Sequence, residues 1–397
     1  MGGDRLRTFQ FIKHLSQRHR VTIVSFVEDE NEIREAEPYR DLYERMVPVV
    51  LPRLRSYWNC MRGLVSSRPL QVHYYSSPRM RAAVAGELAK HSYDVAVCHL
   101  IRMAQYLPTD GSVRTVIDFC DAISVYHHRS TSLRRGLAWS SIVNAIEARR
   151  VGPYERAAIK QADESIFISA IDANYFRGDA LESRAAVVSN GVDLDAFPFD
   201  GGARDANRIV FVGNMRSFPN TDAVSYFAEQ VLPIIHRTRP DATFYIVGNE
   251  PSPRVQSLHD GRHVFVTGRV ESVVPYLTQA AVMVAPMRAV AGVQNKILES
   301  LAVGTPVVTT SMGAEGLDER VMAVADTPEE FARATLELMM DASKHRERAL
   351  TGRTYVENHC TWEKALEGLD SLLTGSRTPE NLQSNAAPNR SVPVFRP

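Results

Sequence analysis

The stretch Val284-Ala-Pro-Met-Arg-Ala-Val-Ala-Gly-Val-Gln-Asn-Lys-Ile-Leu-Glu-Ser-Leu-Ala-Val-Gly-Thr-Pro-Val-Val308 changes its hydrophobic rhythm along its length. An apolar run closes on Ala285, and a loop holding Pro286 and Gly292 follows. Apolar residues then recur at helical spacing, and after Gly304 a second apolar run begins. That order reads as strand, loop, helix, strand, the unit of a parallel α/β sheet, with Gly304 placed as the helix C-cap. Helical spacing turns Ile297, Leu298 and Leu301 toward the sheet and sets Lys296 and Glu299 on one face. The helix is expected to begin near Gly292. Its unpaired N–H groups and positive end then point where a phosphate can sit, and Lys296 adds a full charge. Glu299, an acceptor-only carboxylate, suits the two hydroxyls of a ribose. A solvated Lys/Glu pair, worth about 0.2–0.5 kcal/mol, shows the same spacing.

Working outward, short runs rich in Val and Ile alternate with longer amphipathic segments, twice over. Strands are expected in a first set at Val21–Val27, Val47–Pro52, Asp94–His99, Arg114–Phe119, Glu164–Ser169 and Ala185–Asn190, with a long helical stretch from Ser124 to Gln161. A second set is expected at Ile209–Val212, Thr243–Val247, His263–Thr267, Ala281–Ala285, Pro306–Thr310 and Met322–Ala325. The Pro/Gly/Asp-rich segment Phe197–Asn207 reads as the connection. The division predicted is an N-terminal Rossmann-like domain over 1–190, a C-terminal domain over 191–353, a closing helix within 354–373 and a disordered tail over 374–397.

Length and charge exclude several classes. The chain has 397 residues, enough for two cores, with 46 basic against 46 acidic side chains. That balance argues against a protein that coats nucleic acid, so an anionic ligand must be met by local groups. Cys60, Cys98, Cys120 and Cys360 have no metal-finger spacing and fit a reducing cytoplasm. No run approaches a membrane span, and Met1–Arg7 is too polar for a signal peptide.

In a doubly wound sheet ligands lie beyond the carboxyl ends of the strands. In the second half those positions are Gly213, Gly248, Gly268, Pro286 and Thr310. Glycine there admits a ligand close to the backbone, and it is also how any tight turn is made.

These residues resemble a family. The run Lys296–Val308, with Ser189-Asn-Gly-Val-Asp193, Phe211-Val-Gly-Asn214, Ile246-Val-Gly248 and Val266-Thr-Gly-Arg-Val270, is similar to retaining glycosyltransferases of group 1 (family 4) with the GT-B fold. Val116-Ile-Asp-Phe-Cys-Asp121, Glu147-Ala-Arg-Arg150, Tyr154-Glu-Arg156, Phe218-Pro-Asn220 and Gly292-Val-Gln-Asn-Lys296 resemble more narrowly the sugar transferases of bacterial exopolysaccharide and PEP-CTERM/exosortase clusters. The resemblance implies an α/β protein of two facing Rossmann-like domains. It implies a nucleotide-sugar donor as co-substrate, no other cofactor, and a saccharide or lipid-linked acceptor.

Donor-binding positions implied are Gly213, Asn214, Gly248, Gly268, Val270, Arg288, Gly292, Asn295 and Glu299. Departures are visible. The family's first glutamate falls on Ala291, and its Arg and Lys fall on Asn214 and Pro219. Arg216, Arg288 and Lys296 become the candidate cations for the departing diphosphate. His99 matches a family histidine near the donor sugar, so Lys296, Arg216 and His99 are the expected catalytic set. Gly3 and Arg5, in Gly2-Gly3-Asp4-Arg5, fall on a glycine-rich loop beside the acceptor; Asp118 and Asp121 end a strand on the same side. Asp118 or Asp121 can orient an acceptor hydroxyl, and Asp121 can equally cap a helix. The family's strand before Gly2 is missing, through a start codon placed too late or the loss of an inner strand.

No metal is expected: Asp193-Leu-Asp195 lies at the domain junction, and His127-His128 diverge on a helix. The arginines 129, 134, 135, 149, 150 and 156, interleaved with Leu133, Leu137, Trp139 and Ile142, read as a surface for an anionic leaflet, or as a solvated face. The predicted protein is a cytoplasmic, peripheral glycosyltransferase. The alternatives are an inactive glycosyltransferase-like binding protein or an epimerase on the same fold.

Overall fold

The computed structural model describes residues 3–131, 133, 139–176 and 185–375. Among the described residues are twelve strands: β1 (Thr22–Val27), β2 (Arg45–Val50), β3 (Val95–His99), β4 (Arg114–Cys120), β5 (Glu164–Phe167), β6 (Ala185–Val187), β7 (Asp205–Val212), β8 (Thr243–Val247), β9 (Val264–Gly268), β10 (Ala280–Ala285), β11 (Val307–Thr309) and β12 (Ala323–Val324). Each lies within a few residues of its expected place. All pairings between them are parallel.

The second half is one six-stranded sheet in the order β12-β11-β10-β7-β8-β9. Its central strand β10, Ala-Ala-Val-Met-Val-Ala, is buried at every position, as a strand covered on both faces must be. Ile297, Leu298 and Leu301 of the helix Asn295–Ala302 join this core. Gly304 follows the helix at φ 79°, and its N–H and that of Thr305 bond back to the carbonyls of Leu301 and Ser300, the closure that a left-handed residue makes possible.

The first half shows the gap that a missing inner strand leaves. Its strands form two sheets, β1-β2 and β3-β4-β5-β6, and among the described residues no strand bridges β1 and β3. The helix Gly3–Leu15 lies over the four-stranded sheet, where Phe11 packs with Val116 and Ile166. Gly3 is thus a first helical residue rather than part of a loop, since the chain from there to Leu15 closes its own hydrogen bonds.

The closing helix is also broken. The chain runs as Ala342–His359, Trp362–Ala365 and Leu369–Thr374, and Thr361 caps the second piece by accepting from the Lys364 N–H. Trp362, Leu366, Leu369, Leu372 and Leu373 pack with Phe11, Val116 and Val188, so the end of the described chain returns to the first half. The N–H of Val192 bonds to the Cys360 carbonyl at that crossing. The predicted helical stretch is two helices, Ile123–Thr131 and Trp139–Gln161. The tail predicted beyond Gly375 lies outside the described residues.

Candidate active site between the two sheets

The carboxyl ends of the six-stranded sheet and of β3-β4-β5-β6 meet along a seam. From the second half the loop after β10 crosses over. Ala291 is buried within the first half's cluster beside Phe119 and Phe167, and Gly292 has a left-handed φ of 70°. A Cβ at Gly292 would stand 1.8 Å from Asp121 Oδ1 and 2.8 Å from Ile168 Cγ2. Only glycine permits that approach. The helix itself starts at Asn295, later than the sequence reading placed it, with Gln294 as N-cap.

A continuous polar chain ties the halves together. Arg7 is buried and donates bidentately to Asp118, Nε to Oδ2 and Nη2 to Oδ1, both at 2.9 Å. Its Nη1 donates to Asn190 Oδ1 at 3.0 Å. Asn190 Nδ2 then donates at 2.8 Å to Oδ1 of Asn295, the first residue of the helix Asn295–Ala302. On the other side of Asp118, His99 Nδ1 lies 2.9 Å from Oδ2. Burial alone pushes the Asp118 carboxyl up, but the Arg7 guanidinium and the His99 hydrogen bond outweigh it and hold the group well below the usual range.

Asp118 is therefore not an acceptor contact: it is fully buried and its oxygens are taken by Arg7 and His99. What it does is fix the His99 ring. A second tie is made by Arg129, which donates bidentately to Glu315 at 2.7 Å and to the Val290 carbonyl at 2.6 Å.

Lys296 departs most from expectation. Its amine is buried, donating to Asn220 Oδ1 at 2.5 Å and lying 4.6 Å from the Phe211 ring centroid. Asn220 Nδ2 in turn donates to the Asn214 carbonyl at 2.9 Å. Burial lowers the Lys296 amine to about 7, with Glu299 opposing. Burial likewise raises the Glu299 carboxyl to about 7, with Lys296 opposing. The two groups are thus poised, and an anion brought to Lys296 would draw a proton onto it.

The other expected residues sort themselves. Arg288 is taken by Asp222, at 2.7 and 2.9 Å, and lies over the Tyr226 ring. Arg216 is exposed, its Nη1 3.4 Å from Glu250. Asn214 Oδ1 accepts from the Arg216 N–H at 3.0 Å and so folds its own loop. Gly213 and Gly248 serve each other: a Cβ at Gly248 would stand 1.7 Å from the Gly213 carbonyl oxygen. Gly268, at φ 68°, faces open space, with Val270 just beyond it. Asp121 faces Gly292, and the Ser124 N–H at the following helix start donates to the buried Glu155. Arg5 is exposed and pairs with Glu32 at 3.2 Å.

His99, Asp118 and Cys120 bring possible metal-ligating atoms within 4.8 Å of one another. Because Arg7 already holds both Asp118 oxygens, the donor set fits an ion pair rather than a divalent cation. Asp193 Oδ1 accepts from the N–H groups of Asp195 and Ala196, so that acidic pair forms a turn. His127 Nδ1 lies 2.8 Å from Asn144 Oδ1.

Three arginines of the predicted membrane surface are engaged within the protein. Arg129 is spent on Glu315. Arg150 donates to the carbonyls of Gly63 and Leu64 at 2.8 and 2.6 Å, and Arg156 lies 5.8 Å from the Tyr175 and Phe176 ring centroids. Arg134, Arg135 and Leu137 lie outside the described residues.

Sequence reasoning missed Arg7 as a structural ion and the roles of Asn190, Asn220 and Glu315. Asn190 and Asn220 did sit inside the quoted motifs, Ser189–Asp193 and Phe218–Asn220. Nothing local marks Arg7 or Glu315.

Two parallel-sheet units joined across such a seam are the GT-B fold. Residues 206–341 match the family model described as Glycosyl transferases group 1, which supports a group 1 glycosyltransferase. No curated protein sequence matches the chain. Among solved structures, HepE of Anabaena in complex with UDP and glucose is similar at a TM-score of 0.66 and 14% identity, over 94% of this chain and 96% of that one. WaaG, a glycosyltransferase involved in lipopolysaccharide biosynthesis, is similar at 0.62 and 15%, over 94% and 97%. A glycosyltransferase from Rickettsia africae is similar at 0.62 and 12%, over 96% and 95%. At these identities the likeness establishes the fold.

Proposed function

We propose that the chain transfers a sugar from a nucleoside-diphosphate donor to a saccharide or lipid-linked acceptor, with retention at the anomeric carbon, in the synthesis of bacterial surface or exopolysaccharide. The reaction is placed in the cytoplasm and uses no metal. The observation that carries the reading is the buried Lys296 and the half-buried Glu299 on one face of the helix Asn295–Ala302, next to the loop that reaches the first half.

In this reading Glu299 holds the ribose. Lys296, whose amine burial lowers to about 7, is drawn to its charged form as the diphosphate arrives and stabilises it as it leaves. Asn220 aims the amine, and the N–H groups ahead of Asn295 supply fixed partial charge. Arg216 is the exposed cation at the loop after β7 and closes over the outer phosphate. His99, oriented by Asp118, faces the donor sugar and donates or accepts a hydrogen bond according to its tautomer. Asp121 brings a carboxylate to Gly292, next to Ala291 where the resemblance lacks one, and orients the attacking hydroxyl. Attack on the same face as the departing phosphate lets that phosphate receive the proton, so no separate base is required.

One observation favours a second reading, an inactive binding protein: Ala291 is buried in the opposite half, which leaves no acid at that position. Both readings share the first test, thermal shifts with UDP, GDP, ADP and CMP on the native chain and on Glu299→Ala. A ligand at about 100 times its dissociation constant adds about 2.7 kcal/mol. A shift with one nucleotide that the variant loses supports the donor site. No shift with any nucleotide in a cooperatively melting protein overturns it. Release of free nucleoside diphosphate only when acceptor is added separates transfer from binding alone, and a changed sugar without acceptor indicates epimerisation.

A further inference from the structure

The helix Arg53–Gly63 follows β2 after Leu51 and Pro52. One face is fixed to the protein. Ser56 and Gly63 are buried, Gly63 lies against the His73 ring, and Arg150 holds the carbonyls of Gly63 and Leu64. The opposite face is bare. Leu54, Tyr57, Trp58 and Met61 are 80%, 61%, 70% and 61% exposed, and Val65, one turn on, is 95% exposed.

The helical positions i, i+3, i+4 and i+7 place the first four within an arc of about 100°. A soluble chain does not commonly gather its largest exposed apolar side chains on one stripe. The stripe is framed by charge of one sign. On the helical wheel Arg53 borders it on one side and Arg55 and Arg62 on the other. Between Glu44 and Glu87 the sequence holds seven arginines (45, 53, 55, 62, 68, 79 and 81) and no acidic residue. Arg45 and Arg53 find acids only outside that run, at Glu87 and Glu28, while Arg55, Arg62, Arg68 and Arg79 are exposed.

The geometry points to a membrane-docking surface: this helix lies in the headgroup region of an anionic bilayer, with Leu54, Trp58, Met61 and Val65 entering the acyl boundary and the flanking arginines on the lipid phosphates. An apolar stripe with tryptophan and tyrosine, bordered by arginine and anchored from behind, is the chemistry of an interfacial helix. A protein partner would have to supply both a long apolar groove and acidic walls; a bilayer containing anionic lipid supplies both at once. The surface belongs to the first half, in the segment next after the carboxyl end of β2. Resting on the transferase reading, this brings the acceptor side of the seam toward lipid and makes an amphiphilic acceptor the natural one. The docking itself does not depend on that reading.

The test is co-sedimentation of the full chain with phosphatidylcholine vesicles, with and without about a quarter phosphatidylglycerol, at low and high salt. Two variants carry it: Leu54→Ser/Trp58→Ser/Met61→Ser, which removes the apolar stripe, and Arg55→Glu/Arg62→Glu, which reverses the frame. Every altered side chain is solvent-facing, and cooperative melting verifies the fold of each.

The native chain is expected to bind anionic vesicles about tenfold or more tightly than neutral ones, with the difference reduced by salt, and both variants to lose most of that binding. Nucleotide-induced thermal shifts, a property of the seam, should persist in both variants. Equal binding to neutral and anionic vesicles, or none, overturns the proposal. So does anionic-vesicle binding that both variants retain. A native dimer that the serine variant converts to monomer would instead make the stripe a contact between copies.

Discussion

Replacing Lys296 with methionine separates the cost of burying this amine from its use. In the folded protein the amine is lowered from 10.5 to about 7, burial being the larger cause and Glu299 opposing. The lowered value means that the unfolded chain holds more protons than the folded one between pH 7 and 10.5, so native stability rises with pH across that window. The penalty is about 4 kcal/mol at pH 7 and falls to about 2 kcal/mol at pH 9. Methionine fills similar volume with no charge.

The variant gives up the contact with the Phe211 ring, worth about 1–2 kcal/mol, and leaves Asn220 Oδ1 without its donor, about 1–2 kcal/mol more. Lys296→Met should accordingly be equal to or slightly more stable than the native chain at pH 7. Relative to the native chain it should lose about 2 kcal/mol on going to pH 9, about 4–8 °C in melting for a domain of this size. Its thermal shift with nucleotide should vanish at both values. Denaturation at pH 7 and 9, with and without nucleotide, reads all of this. A stability difference that does not change with pH would mean that the amine titrates normally, and the account of a poised group would fail. A full nucleotide shift in the variant would remove Lys296 from the site.

Gly292→Ala should strain the seam, because the new Cβ would fall 1.8 Å from Asp121 Oδ1 and the residue is held at φ 70°. The two halves should part, seen as a larger radius of gyration in solution scattering; unchanged scattering and melting would refute the packing described. Arg7→Ala leaves the Asp118 carboxylate buried with only His99 and should cost about 3–5 kcal/mol, whereas Arg7→Met with Asp118→Leu should cost clearly less; equal losses in urea unfolding would contradict the ion-pair account. Glu155 is buried and burial raises it to about 7, with Ser124 opposing. Its raised value makes the folded chain the better proton binder between about pH 4.5 and 7, so native stability should fall by up to about 3 kcal/mol across that range. Glu155→Gln should remove that part of the slope, and an unaltered slope would show that Glu155 stays ionised.

Much of the architecture was legible because the two backbone periodicities write themselves into neighbouring residues. The apolar run of β10, the Ile297/Leu298/Leu301 face and Gly304 each carry local information sufficient to place a strand, a helix and its end. The glycine-rich start was misread for the same reason in reverse: Gly3 and its neighbours look like a loop, but the amphipathic residues after them carry the helix Gly3–Leu15.

What the sequence could not determine is which distant group each side chain meets. Asp118 finds Arg7 at a separation of 111 residues, and Arg129 finds Glu315 at 186. Those encounters turn an expected acceptor ligand into a buried ion pair and an expected membrane arginine into a tie across the seam. Lys296 was placed correctly on its helix, yet its burial against Phe211 and Asn220 depends on how the loop after β7 folds back. The stripe on Arg53–Gly63 makes the same point from the other side. Its spacing is that of any helix facing a core, and only the packing of Ser56 and Gly63 inward decides that Leu54, Trp58 and Met61 face out. Periodicity is a property of the local chain, whereas exposure and ion pairing are set by what the rest of the chain brings against it.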